Sequence, residues 1–230
     1  MKTFISLRVI GVASALALAT LSNVGAVVLY NQPFDGTGNA YSSQNDTTGG
    51  LGNFATVYDN FALGGNSNVN NVMFTGEYFN PPAQGNITAF TISFYANNAG
   101  QPGGLLQSFN VPGTGNETFL GNFNGFPAYT YSVNLAGGFN ALAGTTYWMS
   151  VVPDVGFPPQ WGWSSGLNGD GVSYQDFFGN RSQLAADLAF TLNGNAAVPD
   201  SGTTVVLLGA AMLVVGLLHR RSMKAATNRA

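Results

Sequence analysis

The chain has 230 residues, a formal net charge of −3 and no cysteine. Without cysteine a disulfide-stabilised fold is excluded, so an apolar core must hold the protein together. The one histidine, His219, lies near the C-terminus. The rest of the chain therefore has neither the base of a Ser-His-Asp hydrolase nor the His and Cys ligands of a zinc site.

The N-terminus has the features of a secretory signal peptide. Lys2 and Arg8 provide a positively charged start, and an apolar run follows over residues 9–21. Val24 and Ala26 are the small or apolar residues that a cleavage site requires at its −3 and −1 positions. We therefore predict that signal peptidase cleaves after Ala26 and that residues 1–26 are removed. An uncleaved N-terminal anchor is the alternative.

Residues 27–197 have the length of one domain with a substantial core. They contain nine acidic residues and a single basic residue, Arg181, which gives a formal charge of −8. The cationic ends of the chain conceal this imbalance in the total. Because such a surface repels nucleic acid and anionic lipid, we predict no nucleic-acid partner.

Alternation of apolar and polar residues predicts β-strands through most of this domain. The first clear run places Val57, Asp59 and Phe61 on one face. Residues 31–53 are dense in Gly, Asn and Ser and predict a long loop or a strand with an extended arm. Residues 181–186 are expected to form one helical turn. Further alternating runs, rich in aromatic and β-branched residues, lie at 72–75, 90–95, 129–135, 147–151, 172–174 and 188–192.

Many short strands separated by Gly, Asn and Pro turns predict an all-β fold, an antiparallel β-sandwich. We expect about eight to ten strands in a jelly-roll-like arrangement, with an immunoglobulin-like sandwich as the alternative. No internal repeat of fixed period is present, which argues against a propeller.

The aromatic stretch before Trp163 is the candidate glycan-binding segment. Trp161 and Trp163 would share one face of a strand, with Gln160 and Asp170 near in sequence. Indole rings stack on sugars, and amide and carboxylate groups bind sugar hydroxyls. The alternative is that both indoles pack in the core, which is the usual position of tryptophan.

Carboxylates provide two further hypotheses. Asp170 and Asp176 could form the acid pair that a glycosidase requires, although an acid in a Gly-Asp-Gly sequence is usually a turn residue. Asp59 falls on the apolar face of its strand, where an inward carboxylate needs a partner. Asp187 could lie beside it if the first and last strands pair. The two could hold a structural calcium ion, or they could cap backbone turns.

The C-terminal stretch has three consecutive parts. An uncharged apolar run over residues 203–218 could form a helix of about 24 Å, which is short of the roughly 30 Å of a bilayer core. We predict that it is a single transmembrane helix, with residues 222–230 as a cytoplasmic tail. A pentapeptide precedes the run and an arginine pair follows it: Val198, Pro199, Asp200, Ser201 and Gly202, then Arg220 and Arg221.

This order of parts at the C-terminus resembles the PEP-CTERM class of bacterial sorting signals, in its VPDSG variant. It differs from the commoner Val-Pro-Glu-Pro form by having Asp200 in place of Glu and Ser201 in place of the second Pro. The resemblance implies recognition by an exosortase-type membrane protease, removal of the tail, and export to the cell surface or its exopolysaccharide. From the residues alone, a retained membrane anchor is the alternative.

Together these features predict an exported surface or matrix protein with a structural or adhesive role, no enzymatic activity and no cofactor. The predicted divisions are a signal peptide (1–26), a β-sandwich ectodomain (27–197), a sorting segment with its helix (198–221) and a tail (222–230). The alternatives are a carbohydrate-binding module for exopolysaccharide and, less favoured, a glycosidase.

Overall fold

Fifteen strands occupy residues 27–196 of the computed structural model, which describes that range together with Gly209 and Met212. The predicted signal peptide, sorting pentapeptide and tail lie outside the described residues. The strands are β1 (Val27–Gln32), β2 (Ala40–Ser42), β3 (Gln44–Asp46), β4 (Gly52–Ala62), β5 (Ser67–Phe79), β6 (Ala89–Asn98), β7 (Gln101–Pro112), β8 (Thr118–Phe123), β9 (Phe126–Ala141), β10 (Thr146–Asp154), β11 (Gln160–Gly166), β12 (Ser173–Phe177), β13 (Asn180–Leu184), β14 (Asp187–Leu188) and β15 (Phe190–Ala196).

The strands form two sheets. In the first sheet, of eight strands, the central order is β1-β15-β5-β11-β14, β2 pairs with β11, β9 pairs with β5, and β8 pairs with β9. The second sheet has seven strands in the order β13-β12-β4-β3-β10-β6-β7, and β4 also pairs directly with β10. All pairings are antiparallel except the short contact of β3 with β10. Because inward and outward residues alternate along each strand, each sheet has one apolar face.

The apolar faces of the two sheets form one core, in which aromatic residues dominate. Phe94 of the second sheet stacks on Phe139 of the first, with ring centroids 4.2 Å apart. Trp161 packs edge-on against Phe74 and Phe90, and its Nε1 donates to Tyr131 Oη at 3.0 Å. A buried indole with its N–H satisfied in this way is a stable core element.

The predicted all-β class is confirmed, and the two packed sheets are consistent with a β-sandwich. The alternating runs identified in the sequence fall mainly on strands, and the run at 188–192 is divided between β14 and β15. Two further expectations are wrong. Residues 181–186 do not form a helical turn, because β13 pairs with β12 as a hairpin. Residues 31–53 contain the end of β1, all of β2 and β3, and the start of β4, rather than one long loop or one strand with an extended arm. The jelly-roll connectivity stays a prediction.

Across the part of the chain that the structure describes, no helix has the length and apolarity needed to cross a bilayer. The predicted transmembrane run, residues 203–218, falls almost entirely outside that part.

Candidate functional site

The tryptophan pair proposed for glycan binding lies in the core. Trp161 and Trp163 each have 0% of their surface exposed, and Trp163 Nε1 donates to the backbone oxygen of Ala189 at 2.9 Å. A sugar ring could not reach either indole without separation of the two sheets. The core alternative therefore replaces the stacking hypothesis, because these side chains share the inward face of β11.

The polar residues proposed for that site are engaged by other groups of the protein. Gln160 Nε2 donates to Ser42 Oγ at 2.5 Å. Asp170 is exposed and caps its own turn, since its Oδ1 accepts a hydrogen bond from Val172 N at 3.0 Å. Its Oδ2 accepts a hydrogen bond from Asn60 Nδ2 of β4 at 3.0 Å. Gln160 and Asp170 therefore do not form a binding surface with the tryptophan rings, which are buried.

The second candidate acid, Asp176, is held by the single arginine of the domain. Arg181 donates to it through Nε at 2.7 Å and through Nη2 at 2.8 Å, and Tyr58 Oη donates to its Oδ2 at 3.0 Å. The Arg181 guanidinium keeps the pKa of Asp176 below its usual value. The second sheet has a polar cleft bounded by β3, β4, β6 and β10, and neither Asp176 nor Asp170 lines it.

Asp59 and Asp187 both accept backbone hydrogen bonds. Leu188 N donates to Asp59 Oδ2 at 2.7 Å, and Gly171 N donates to Asp187 Oδ1 at 2.7 Å. Burial raises the pKa of Asp59 well above its usual value, and the charges of Asp187 and Asp170 act in the same direction. Such hydrogen bonds are expected if the two carboxylates cap backbone groups, which is the alternative to a calcium site. Among the described residues, no group of three or more His, Cys, Asp or Glu side chains could hold a metal ion.

A polar cleft lies on the outward face of the second sheet and was not identified from the sequence. Its volume is about 250 Å³, and strands β3, β4, β6 and β10 contribute its walls. Tyr95 Oη and Ser150 Oγ are 3.2 Å apart, and Asn45 Nδ2 donates to Asp154 Oδ1 at 2.7 Å. The lining residues are Asn45, Asn53, Thr56, Tyr58, Thr91, Ser93, Tyr95, Ser150, Val152 and Asp154.

An aromatic cluster on this outward face begins at the cleft wall and extends beyond it. Tyr58 and Tyr95 meet edge-on at 5.3 Å, and Trp148 meets Tyr174 at 5.4 Å. The guanidinium of Arg181 lies 5.1 Å from the centroid of the Tyr58 ring. The face therefore combines aromatic rings with a row of hydroxyl and amide groups.

The signal for this face was present in the sequence as the polar half of two alternating runs. Thr91, Ser93 and Tyr95 alternate with core residues of β6, and Ser150 alternates with core residues of β10. Alternation alone does not indicate which strands are neighbours. The cleft becomes visible only when Ser150 is found opposite Ser93 in the sheet.

Beyond the described domain, residues 197–222 match the VPDSG-CTERM motif. The chain carries a VPDSG-CTERM sorting signal. The match covers the predicted segment 198–221 and one residue on either side. Such a signal is of the PEP-CTERM/exosortase type and implies export and processing by an exosortase, which is a membrane protein. No curated protein is significantly similar to the chain, so the VPDSG-CTERM match informs on sorting and leaves the role of the β-domain to its structure.

Proposed function

We propose that this chain is an exported surface or matrix protein whose β-domain has an adhesive role and binds a neutral polysaccharide in the polar cleft of the second sheet. The sorting signal supports delivery to the cell surface, and the resemblance to PEP-CTERM signals makes exopolysaccharide a candidate ligand there. The single observation that carries the binding role is the hydroxyl-rich cleft between β3, β4, β6 and β10.

The chemistry of the cleft suits a sugar polymer. Hydroxyl groups such as that of the half-buried Thr91 both donate and accept hydrogen bonds, as sugar hydroxyls do. Asp154 adds an acceptor, and the half-buried ring of Tyr95 adds a flat surface. With nine acids against one base in residues 27–197, an anionic polymer would be repelled, so a neutral one is favoured.

We propose a non-catalytic role for the domain. Glycoside hydrolysis needs a proton donor and a second carboxylate facing one scissile bond. The two acids suggested by the sequence are engaged elsewhere, Asp176 with Arg181 and Asp170 within its turn. Asp154 is the one acid that lines the polar cleft.

We propose that the chain is cleaved twice, at the signal-peptide site and at the sorting motif. Signal peptidase would cut after Ala26, and an exosortase would cut within the Val198–Gly202 pentapeptide, leaving the domain at the surface or in the matrix. Intact masses of the protein from membrane and medium fractions test this. A C-terminus between residues 198 and 202 is expected, whereas a full-length chain found only in membranes would indicate a permanent helical anchor.

Binding in the cleft is tested by retention of the protein on immobilised exopolysaccharide from the producing cells. Tyr95→Leu removes the aromatic ring and the hydroxyl from the cleft. We expect it to weaken retention about tenfold, because the loss of one neutral hydrogen bond and its stacking contact has an effect of about this size. The matched control is Phe119→Leu, which removes an aromatic ring that is 56% exposed on the other sheet. Equal losses in both variants, or no retention of the unmodified protein, would contradict the proposal.

A further inference from the structure

Glu77 is a buried acid that the polysaccharide cleft does not use. It lies on β5, on the outward face of the first sheet, and has 0% of its surface exposed. Its Oε1 accepts a hydrogen bond from Ser164 Oγ at 3.1 Å, but its Oε2 has no partner. An unpaired carboxylate oxygen out of contact with water is costly, and native proteins usually satisfy such atoms with a protein group or an ordered water, so an unsatisfied one requires an explanation.

A second cleft lies directly at Glu77. Its volume is about 280 Å³, and Glu77 lines it together with Phe79, Phe126 and the backbone segment 38–41. The rings of Phe79 and Phe126 are 6.2 Å apart and nearly perpendicular. The cleft is slightly smaller than the roughly 300–1,000 Å³ usual for ligand pockets, and it combines aromatic rings with one carboxylate and the amides of Asn39 and Asn124, a composition that suits a small molecule.

Two glycines allow the elements around this cleft to approach one another closely. Gly38 has a φ of +74°, and a Cβ at this position would lie 2.6 Å from the backbone oxygen of Phe123. Gly162, directly across from Glu77 on β11, would place a Cβ 2.8 Å from the Phe79 ring. Glycine at these two positions lets segment 38–41 and the Phe79 ring approach the sheet while Glu77 remains beneath them.

The charges around the cleft select the kind of ligand. Asp35 is the charged group that acts on Glu77 from the segment before β2, and it adds a second negative charge. Arg181, the single basic residue of residues 27–197, is bound to Asp176 on the other sheet. No Lys, Arg or His side chain of residues 27–197 therefore pairs with Glu77, and a positively charged ligand would complete the site.

We propose that this cleft binds a small primary ammonium ion, with Glu77 Oε2 accepting a hydrogen bond from its nitrogen and the rings of Phe79 and Phe126 covering its carbon frame. A bare divalent metal fits less well, because calcium takes about six to eight oxygen ligands and Glu77 is the one acid lining the cleft. A quaternary ammonium has no N–H to satisfy Oε2. Aromatic walls stabilise an ammonium through their negative faces.

Ionisation of Glu77 gives the proposal a second readout. Burial raises the pKa of Glu77 to about 7, the Ser164 hydroxyl opposes this, and Asp35 adds to it. Tyr41 is the other titratable residue on the cleft wall, while the strand neighbours of Glu77 on β9 and β11, Ala128 and Gly162, do not titrate. Because an alkylammonium requires the ionised carboxylate, its affinity should rise about tenfold between roughly pH 6 and pH 8.

The test is calorimetric titration of the full chain with cyclohexylamine, and with cyclohexanol as the neutral probe of the same shape. We expect the amine to bind at about pH 8 and the alcohol to bind at least about tenfold more weakly. Glu77→Gln should reduce amine affinity by about ten- to a hundred-fold, the effect of one charged hydrogen bond. Asp170→Asn removes one negative charge outside the cleft and should leave the affinity unchanged.

Two measurements keep the test decisive if Glu77→Gln does not fold. Ala40→Leu places a larger side chain at the rim of the cleft and should abolish binding, and the pH dependence needs only the unmodified protein. The proposal is overturned if cyclohexylamine does not bind, if cyclohexanol binds equally well, or if affinity is the same at both pH values. Any of these results would indicate that water alone satisfies Glu77.

Discussion

Replacement of Glu77 by glutamine should remove the part of the stability loss at rising pH that is caused by ionisation of Glu77. In the folded protein, burial raises the pKa of Glu77 from 4.5 to about 7. Between these values the folded state binds more protons than the unfolded state, so the free energy of unfolding falls as the pH rises. Full stability is present below about pH 4.5, where both states hold the proton.

The size of the effect follows from the shift in pKa. A change of 4.5 to about 7 corresponds to roughly 3 kcal/mol at about 1.4 kcal/mol per pH unit. Because the cleft beside Glu77 is open to solvent, we expect about 2–3 kcal/mol. Glutamine keeps the shape and the acceptor for Ser164 Oγ without a charge. Between about pH 4.5 and pH 8 the unmodified protein should therefore lose about 2–3 kcal/mol of unfolding free energy that the Glu77→Gln variant retains.

Urea unfolding followed by tryptophan fluorescence measures this directly, since Trp148, Trp161 and Trp163 are all buried. Asp46→Asn is the control with the opposite sign. Asp46 accepts backbone hydrogen bonds from Phe157, Thr48, Gly49 and Leu51, which lower its pKa. Its contribution should be present near neutral pH and fall as the pH drops through the acidic range. Parallel stability profiles for Glu77→Gln and the unmodified protein would refute the reasoning.

Three further substitutions test the core and the surface by the same urea assay. Trp161→Ala should cost about 3–5 kcal/mol, because it empties a closely packed site and leaves Tyr131 Oη without its donor; a loss below about 1 kcal/mol would argue against core packing. Gly76→Ala should cost at least about 1–3 kcal/mol, since its Cβ would overlap the Trp161 ring; an unchanged midpoint would contradict that contact. Arg181→Ala should cost less than about 1 kcal/mol, as its ion pair with Asp176 is partly exposed; a larger loss would show that its contact with the Tyr58 ring matters more than the charge pair.

The strands were predictable because period-two alternation reports directly on burial. Phe90, Ile92 and Phe94 alternate with Thr91 and Ser93 in the sequence, and the structure buries the first three in the core. β2 and β3 are only three residues each and contain mainly polar residues, so no periodic signal could separate them from a loop. They are strands because β11 and β4 supply their hydrogen bonds.

The sites were less predictable, since they depend on contacts between distant strands. Trp161 and Trp163 were correctly placed on one face of one strand, but the sequence does not indicate whether that face is inward. Asp59 was recognised as inward, and its partner turned out to be the backbone of Leu188. Glu77 gave no signal, because the segment that buries it comes from residues 38–41, far away in the chain.

The pairing of the first and last strands has a mechanical consequence. Val27 and Gly194 are register partners in the antiparallel strands β1 and β15, so both termini of the domain lie at the same end of the first sheet. The sorting signal begins one residue after Ala196, and any tether there pulls on β15. That strand is hydrogen-bonded on both sides, to β1 and to β5, over most of its length. Tension on the attachment point is thus shared by two ladders of hydrogen bonds rather than peeling a single edge strand from the sheet.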